Sequence, residues 1–450
     1  MDAQEKKFQD MTQNNVGKTI IKLAIPCVIS MLVTAFYNMA DTFFVGMLKS
    51  NAATGAVGVV FSMMAIIQAV GFFFGQGSGN YISRMLGKKE YEKASQMAAT
   101  GFFTALGAGV IICLVGQFFL EDLAYLLGST DTILPYTKEY LRVILLGAPW
   151  MTASLVLNNQ LRFQGSASYA MVGITSGAVL NIILDPIMIF TMKLGVAGAG
   201  WATIISQFVS FLILLRGCAK GDNLHLSIKN VRICGETLIS IAKGGLPSLA
   251  RQSLASLATI CLNHAARPYG DVVIAAMGVV QRIVMFGASA MIGFGQGFQP
   301  FCGFNYGAGL YSRVKKGFWF CVKGSFFFLL GVAVIVYCFA PQLISLFRDD
   351  PQVIECGAFA LRMQCVSFPL HSWIVMSTMM EQVMGKTVPA TFLSVARQGV
   401  FFIPLVLILS YTLGIFGIQI TQAASDLLAF LCAVPIHIRI LKSLPASDRL

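Results

Sequence analysis

Residues 51–83 contain no Asp, Glu, Lys or Arg, and neither do residues 94–120, 163–184, 194–215, 324–347 and 363–380. In hydrocarbon a backbone must satisfy its own hydrogen bonds, which leaves helices and closed barrels as the only spanning structures. A spanning helix takes about 20 apolar residues, whereas a barrel strand takes about ten of alternating polarity. These runs are too long and too uniformly apolar for strands, so the chain reads as an all-α polytopic membrane protein. Composition agrees. Only 12% of the 450 residues are charged, against about 25% in a soluble domain, and the 43 glycines suit helices packed closely in lipid.

Twelve transmembrane helices are predicted, at 18–46, 52–83, 92–120, 133–160, 167–191, 195–217, 237–265, 272–303, 313–343, 353–383, 387–411 and 415–438. The opening MDAQEKKFQDMTQNN has no signal-peptide pattern and reads as a retained polar or interfacial segment.

The net charge of +12 would suggest nucleic acid on a soluble protein. Here the basic residues divide by side. With the N-terminus inside, 22 of the 32 Lys and Arg face the cytoplasm, among them Lys88, Lys315 and Arg449. Seven face outward, including Lys49, Arg142 and Lys193, and Arg251, Arg282 and Arg397 remain within helices. Basic residues collect on the cytoplasmic side of membrane proteins. Both termini are therefore expected in the cytoplasm, the chain in the plasma (inner) membrane, and the partner to be the lipid bilayer rather than nucleic acid. The eleven cysteines are scattered singly and read as small buried hydrophobes, not as a metal site or a disulfide framework.

A shift of 220 residues carries Gly58-Val59-Val60 onto Gly278-Val279-Val280, Gly75-Gln76-Gly77 onto Gly295-Gln296-Gly297, Tyr91 onto Tyr311, Pro149 onto Pro369 and Gly165 onto Gly385. With small gaps Pro26 matches Pro247. The chain is thus two copies of a six-helix unit. Six is even, so both copies enter the membrane the same way round, as parallel repeats. That is the architecture of transporters whose bundles rock around a central cleft. The expected organisation is a cytoplasmic segment 1–17, a first lobe 18–217, a cytoplasmic linker 218–236, a second lobe 237–440 and a tail 441–450.

Acids inside a bilayer are rare and mark ion or proton pathways. The first lobe has two: Asp41, in YNMADTFFVG, and Asp185, in NIILDPIMIF. Asp41 lies eight residues before Lys49, Asp185 eight before Lys193, and Thr203 eight past Gly195. At 1.5 Å per residue all three sit roughly 12 Å below the outer ends of their helices. Asn181 shares a helix face with Asp185, and Asn38 one with Asp41. Pro186 removes a backbone donor and frees the carbonyl of Ile182. An acid, an amide and a loosened carbonyl on one face offer oxygen ligands for a small cation, or a place for a proton. The alternative, an acid paired with a buried base, finds no Lys or Arg at that depth; Arg142 is nearest. The matching positions of the second copy, near Leu262 and Ile403, are apolar, so the fold itself does not demand these acids.

In the second lobe Arg397 and Asp426 fall at one depth and are read as a structural ion pair. Arg282 is read as another residue holding that bundle together, and Glu381, at a helix end, as interfacial. His225, His264, His371 and His437 are too dispersed for a metal cluster. No nucleophile–base set or nucleotide-binding loop is present, so no enzyme is expected and no cofactor. Transport would be passive or driven by an ion gradient.

The stretches ADTFFVG (40–46), GQGSGNYISRMLGKKEYEKA (75–94), NIILDPIMIF (181–190), LGVAGAGWATIIS (194–206) and GFGQGFQPFCGFNYGAG (293–309) resemble the multidrug and toxic compound extrusion (MATE) family, closest to its MepA-like bacterial branch. The resemblance covers about residues 15–440. It implies export of small amphipathic organic cations against entry of H+ or Na+, by a monomer. It implies a cation site at Asp41, Asn181, Asp185, Ala199 (through its carbonyl) and Thr203, with Asn38 and Tyr140 nearby. A bound Na+ would use Asp41, Asn181, Asp185 and Thr203, with helix bending at Pro26 and Pro186. A second branch has acids in the second lobe; Ala255 and Ser372–Trp373 stand there in this chain. A lipid-linked oligosaccharide flippase of related architecture is the rival reading, but such proteins often have fourteen helices and a cationic cavity.

Overall fold

Each charge-free run lies within a helix or joins two. A computed structural model describes residues 3–47, 51–220, 223–445 and 447–448, and no strand occurs among them. Lys49 and Arg449, used above for depth and orientation, lie outside the described residues. The helices are α1 (Ala3–Thr12), α2 (Val16–Gly46), α3 (Asn51–Gly87), α4 (Tyr91–Phe118), α5 (Leu120–Leu126), α6 (Leu134–Phe163), α7 (Ala167–Pro186), α8 (Gly195–Ala219) and α9 (Gly235–Ala266). They continue as α10 (Asp271–Gly307), α11 (Tyr311–Cys338), α12 (Ala340–Ser345), α13 (Pro351–Ser367), α14 (His371–Val383), α15 (Thr387–Val395), α16 (Phe402–Leu413) and α17 (Ile415–Ser443). A 3-10 turn joins α13 to α14, and a π-helical turn, Ala396–Phe401, joins α15 to α16. A second π turn, Ile187–Thr191, extends α7.

Counted as continuous rods, these make twelve transmembrane helices, six in each repeat. Eleven are long and apolar enough by themselves to cross a membrane. The twelfth, α9, is 32 residues long but carries Glu236, Lys243, Arg251 and several Ser and Thr, which lower its apolarity.

The repeat is visible in how helices end. After α6, Gly165 has φ +81°, and after α14, Gly385 has φ +78°. Ser166 N–H donates to Leu161 O, and Lys386 N–H to Glu381 O, each over 2.9 Å. Both are the 6→1 bond of a Schellman cap, which needs a left-handed residue that glycine supplies without strain. The same 6→1 bond runs from Glu90 to Met85 and from Leu310 to Asn305, 220 residues apart. A helix start is explicit at α13, where Asp350 accepts from Gln352 N–H over 2.9 Å and Pro351 opens the helix.

By contact the chain forms two units, Met1–Met11 with Ile29–Gly245, and Thr12–Val28 with Leu246–Leu450. These differ from the lobes 18–217 and 237–440 at the first turns of α2 and α9, which change places. Close approach at paired glycines is the reason. A Cβ on Gly77 of α3 would lie 2.3 Å from the carbonyl of Ile241 on α9. A Cβ on Gly297 of α10, the matched position, would lie 2.4 Å from Ala24 Cα on α2. Pro26 lies inside α2, which runs unbroken from Val16 to Gly46.

In the first unit Val60, Met64 and Ile67 of α3 pack against Tyr140, Ile144 and Leu145 of α6 and Ile204 of α8. Buried amides tie the same helices: Gln76 Nε2 donates to Asn159 Oδ1 (3.1 Å) and Gln160 Nε2 to Ser78 Oγ (3.0 Å). The opening segment is not merely polar chain. It folds as α1 and docks on this unit, with Lys7 Nζ donating to Ser166 Oγ (2.8 Å) and Asn223 Oδ1 (3.0 Å). In the second unit Leu262, Val273, Ala276, Leu361, Phe402 and Val406 form the core. Leu262, the counterpart of Asp41, is a plain core residue.

Candidate functional site

In the first unit α2, α6, α7 and α8 bring polar side chains to one place. Helix α8 can approach because it presents glycines. A Cβ on Gly198 would meet the Met188 backbone at 2.7 Å, and one on Gly200 the Tyr140 ring at 2.8 Å. Helix α7 ends at Pro186 and widens into the π turn, where Met192 N–H reaches back five residues to Ile187 O (2.8 Å). Such bulges concentrate at functional positions. Asp185 therefore stands at a change of helical pitch.

Asn181 and Asp185 are both buried on α7, and Asp185 is 0% exposed. Asn181 Nδ2 lies 3.5 Å from Thr203 Oγ1 on α8. Ala199, one turn before Thr203, is fully buried. Asp41 is partly buried on α2, with Asn38 half-buried one turn earlier. Asp41 and Asp185 interact electrostatically, and Tyr140 of α6, buried, interacts with both. Every residue expected at the cation site thus falls on the four helices of one cluster.

Both carboxylate oxygens of Asp185, Oδ1 of Asp41 and Oδ1 of Asn181 are buried without a hydrogen-bond partner. Among the described residues no Lys or Arg pairs with either acid, and Arg142 is exposed. A carboxylate taken out of water with neither donor nor counter-ion is costly, so this arrangement requires a proton or a cation. Its oxygens are carboxylate, amide and hydroxyl, the hard donors that small hard cations select. No cluster of three His, Cys, Asp or Glu occurs among the described residues, so a bound Na+ would draw on the neutral oxygens as well.

Sequence reasoning missed Tyr37. It is buried on α2 one turn before Asp41, and it interacts with both acids and with Gln207 of α8. Gln207 is one turn after Thr203. The spacing of four in each helix was the available signal; a tyrosine and a glutamine there pass as packing.

The second unit arranges its charges differently. Arg397 Nε donates to Asp426 Oδ1 over 2.7 Å. Asp426 also receives Ser367 Oγ (3.0 Å) and Gln422 Nε2 (2.9 Å), and lies 2.8 Å from His371 Nε2. His371 is thus part of this buried knot. Glu381 is not interfacial. It is fully buried with its Oε1 3.0 Å from His437 Nδ1, and the Phe318 ring lies against that histidine at 4.2 Å. Arg282 does not knit the bundle: it is exposed, with no ion pair among the described residues.

The family model described as MatE matches residues 26–187 and again 247–408, so both matches repeat at the same step of 221 residues. The multidrug export protein MepA of Staphylococcus saprophyticus is 29% identical over 94% of this chain and 93% of that protein. MepA of Staphylococcus aureus is also 29% identical, over 93% of each chain. The solved outward-facing conformation of a multidrug resistance MATE family transporter of the MOP superfamily superposes with a TM-score of 0.91 at 28% identity, covering 98% of this chain and 99% of that one. The chain belongs to the MatE family of multi-pass membrane transporters.

Proposed function

We propose that the protein is a secondary antiporter that exports small organic cations or drugs from the cytoplasm in exchange for H+ or Na+. The observation that carries this reading is the state of Asp185: fully buried, next to Asp41, with both oxygens unpartnered. A fold needs no such group, and its counterpart in the second repeat is apolar. The relatives named for multidrug export support the substrate class. The acidic character of the site disfavours a flippase for anionic lipid-linked substrates.

An entering proton or Na+ neutralises the two carboxylates and removes their attraction for a cationic substrate. A ligand shifts a conformational equilibrium only by its differential affinity for the two states, so ion and substrate must weaken each other reciprocally. Pro26 and the π turn after Pro186 are the places where α2 and α7 can bend during that exchange. The charge bias puts both termini in the cytoplasm, the chain in the plasma membrane, and a monomer suffices for the mechanism.

The test is uptake of a fluorescent organic cation into inside-out vesicles, with Na+ and pH gradients imposed separately. Uptake driven by one gradient is expected. Uptake that ignores both, at wild-type levels of protein, would refute ion coupling.

A further inference from the structure

Helix α11 begins in a groove of about 720 Å³ lined by Lys315, Lys316, Trp319, Phe320 and Lys323. No acid lines it. We propose that this groove is a binding site for an anionic phospholipid, with the lipid phosphate held by the three ammonium groups.

The spacing makes one stripe. Lys316, Trp319, Phe320 and Lys323 recur at three and four residues, which places them on one helix face, and all four are exposed. The stripe continues without charge through Phe327 (69% exposed), Leu330 and Val334 (55%). From Lys323 to Val334 is about 16 Å of helix, the depth of one leaflet's hydrocarbon, about 15 Å. One face of α11 therefore presents lysines with Trp319 and Phe320 between them, then an apolar track as long as an acyl chain. Long lysine stems reach from an apolar face to the headgroup level, and tryptophan settles at that level.

The neighbouring charges leave the groove cationic. Lys315 Nζ is anchored by the carbonyl of Leu444 (3.4 Å). Arg313 is turned to Asn305 Oδ1 (2.8 Å) and Asn14 O (2.7 Å). Asp448 accepts from the backbone N–H of Ser312 over 2.8 Å and reaches Lys316 electrostatically. Three lysines in a lining without an acid favour a headgroup with net negative charge. A choline headgroup would bring a like charge to the ammonium cluster.

Native mass spectrometry of the detergent-purified full chain, with phosphatidylglycerol and phosphatidylcholine of matched acyl chains, tests this. The wild type should retain phosphatidylglycerol in preference. Each lysine near an anionic headgroup contributes about a fivefold factor in affinity, so Lys323→Gln should retain it about fivefold less well. Lys315→Gln, Lys316→Gln and Lys323→Gln together should abolish the preference. The corresponding triple change to Arg should keep it, which separates charge from loss of fold. Equal retention of the two lipids by the wild type, or an unchanged preference in Lys323→Gln and the triple Gln variant, would overturn the proposal. So would displacement of the lipid by free glycerol phosphate at equal concentration, which would assign the groove to a soluble phosphate.

Discussion

Arg397 is held to Asp426 and to its chain neighbour Ser425 from two directions. The Arg397 guanidinium donates to Asp426 Oδ1 at 2.7 Å, and the adjacent Ser425 donates to the Arg397 carbonyl at 2.5 Å. Arg397 lies in the π turn of residues 396–401. The turn and α17 hold each other through both ends of one arginine.

The first prediction concerns that pair. Removing one partner of a buried ion pair costs about 3–5 kcal/mol, because the other charge stays behind unpaired. Arg397→Leu should lower thermal stability in detergent by that order. Adding Asp426→Leu should recover part of the loss, not all, since His371, Ser367 and Gln422 then lose their acceptor. Losses that simply add in a double-mutant cycle would show that the two residues are not coupled.

At the first-unit site the expectation is opposite in sign for stability. Asp41→Asn and Asp185→Asn remove charge from positions where no donor compensates it. Both variants should fold with unchanged or higher melting temperature, yet lose dye efflux to the level of cells lacking the protein. Efflux assays with membrane expression measured in parallel decide it; wild-type efflux from both would remove these acids from the mechanism.

Backbone contact at Gly77 predicts a sharp contrast between two glycines of α3. Gly77→Ala forces a methyl into the Ile241 carbonyl, and overpacking of this kind costs about 1–3 kcal/mol. Gly58→Ala meets nothing within 4 Å and should be neutral or stabilising, as alanine favours a helix by up to about 1 kcal/mol over glycine. Equal melting temperatures for the two variants would contradict the close approach of α3 and α9.

Cys234, exposed in the segment before α9, has its Sγ 2.9 Å from Thr237 Oγ1. That hydrogen bond holds the thiol below its ordinary range, so the thiolate is more populated near neutral pH and labels faster than a free thiol. In a Cys338→Ser background, an impermeant maleimide should label inside-out vesicles and spare intact cells. Labelling of intact cells alone would reverse the assigned orientation of the termini.

The tail should respond to acid late. The Ser312 hydroxyl and its N–H hold the Asp448 carboxyl below the usual carboxylate range. A depressed carboxyl stabilises the docked state above its unfolded value, and that contribution is lost as pH falls through the folded value. Protease resistance of the tail should therefore be flat from pH 7 to about 5 and fail only below about 4. Ser312→Ala should raise the pH of failure.

Hydrophobic runs made the twelve rods legible, because length and the absence of charge are local properties. The residues Asp41, Asn181, Asp185 and Thr203 were legible because equal depth follows from counting along helices. Tyr37 was not, since an aromatic in a membrane helix carries no charge to distinguish it. The Glu381–His437 and His371–Asp426 contacts were not either. They join residues 56 and 55 positions apart, and only helix packing decides which faces meet. The exchange of the first turns of α2 and α9 also escaped, because a glycine in a helix does not announce which backbone comes against it.

That exchange constrains biogenesis. Ala24 and Val28 leave the ribosome among the first membrane-embedded residues, yet the glycines that receive them, Gly297 and Gly293, are translated only after more than half the chain has been inserted. Until then the start of α2 lacks its contacts with α10 and must wait in lipid or on an insertion factor. A nascent chain stalled before α10 should remain protease-sensitive in its first helix. The two halves, expressed as separate polypeptides, should each mature only when made together.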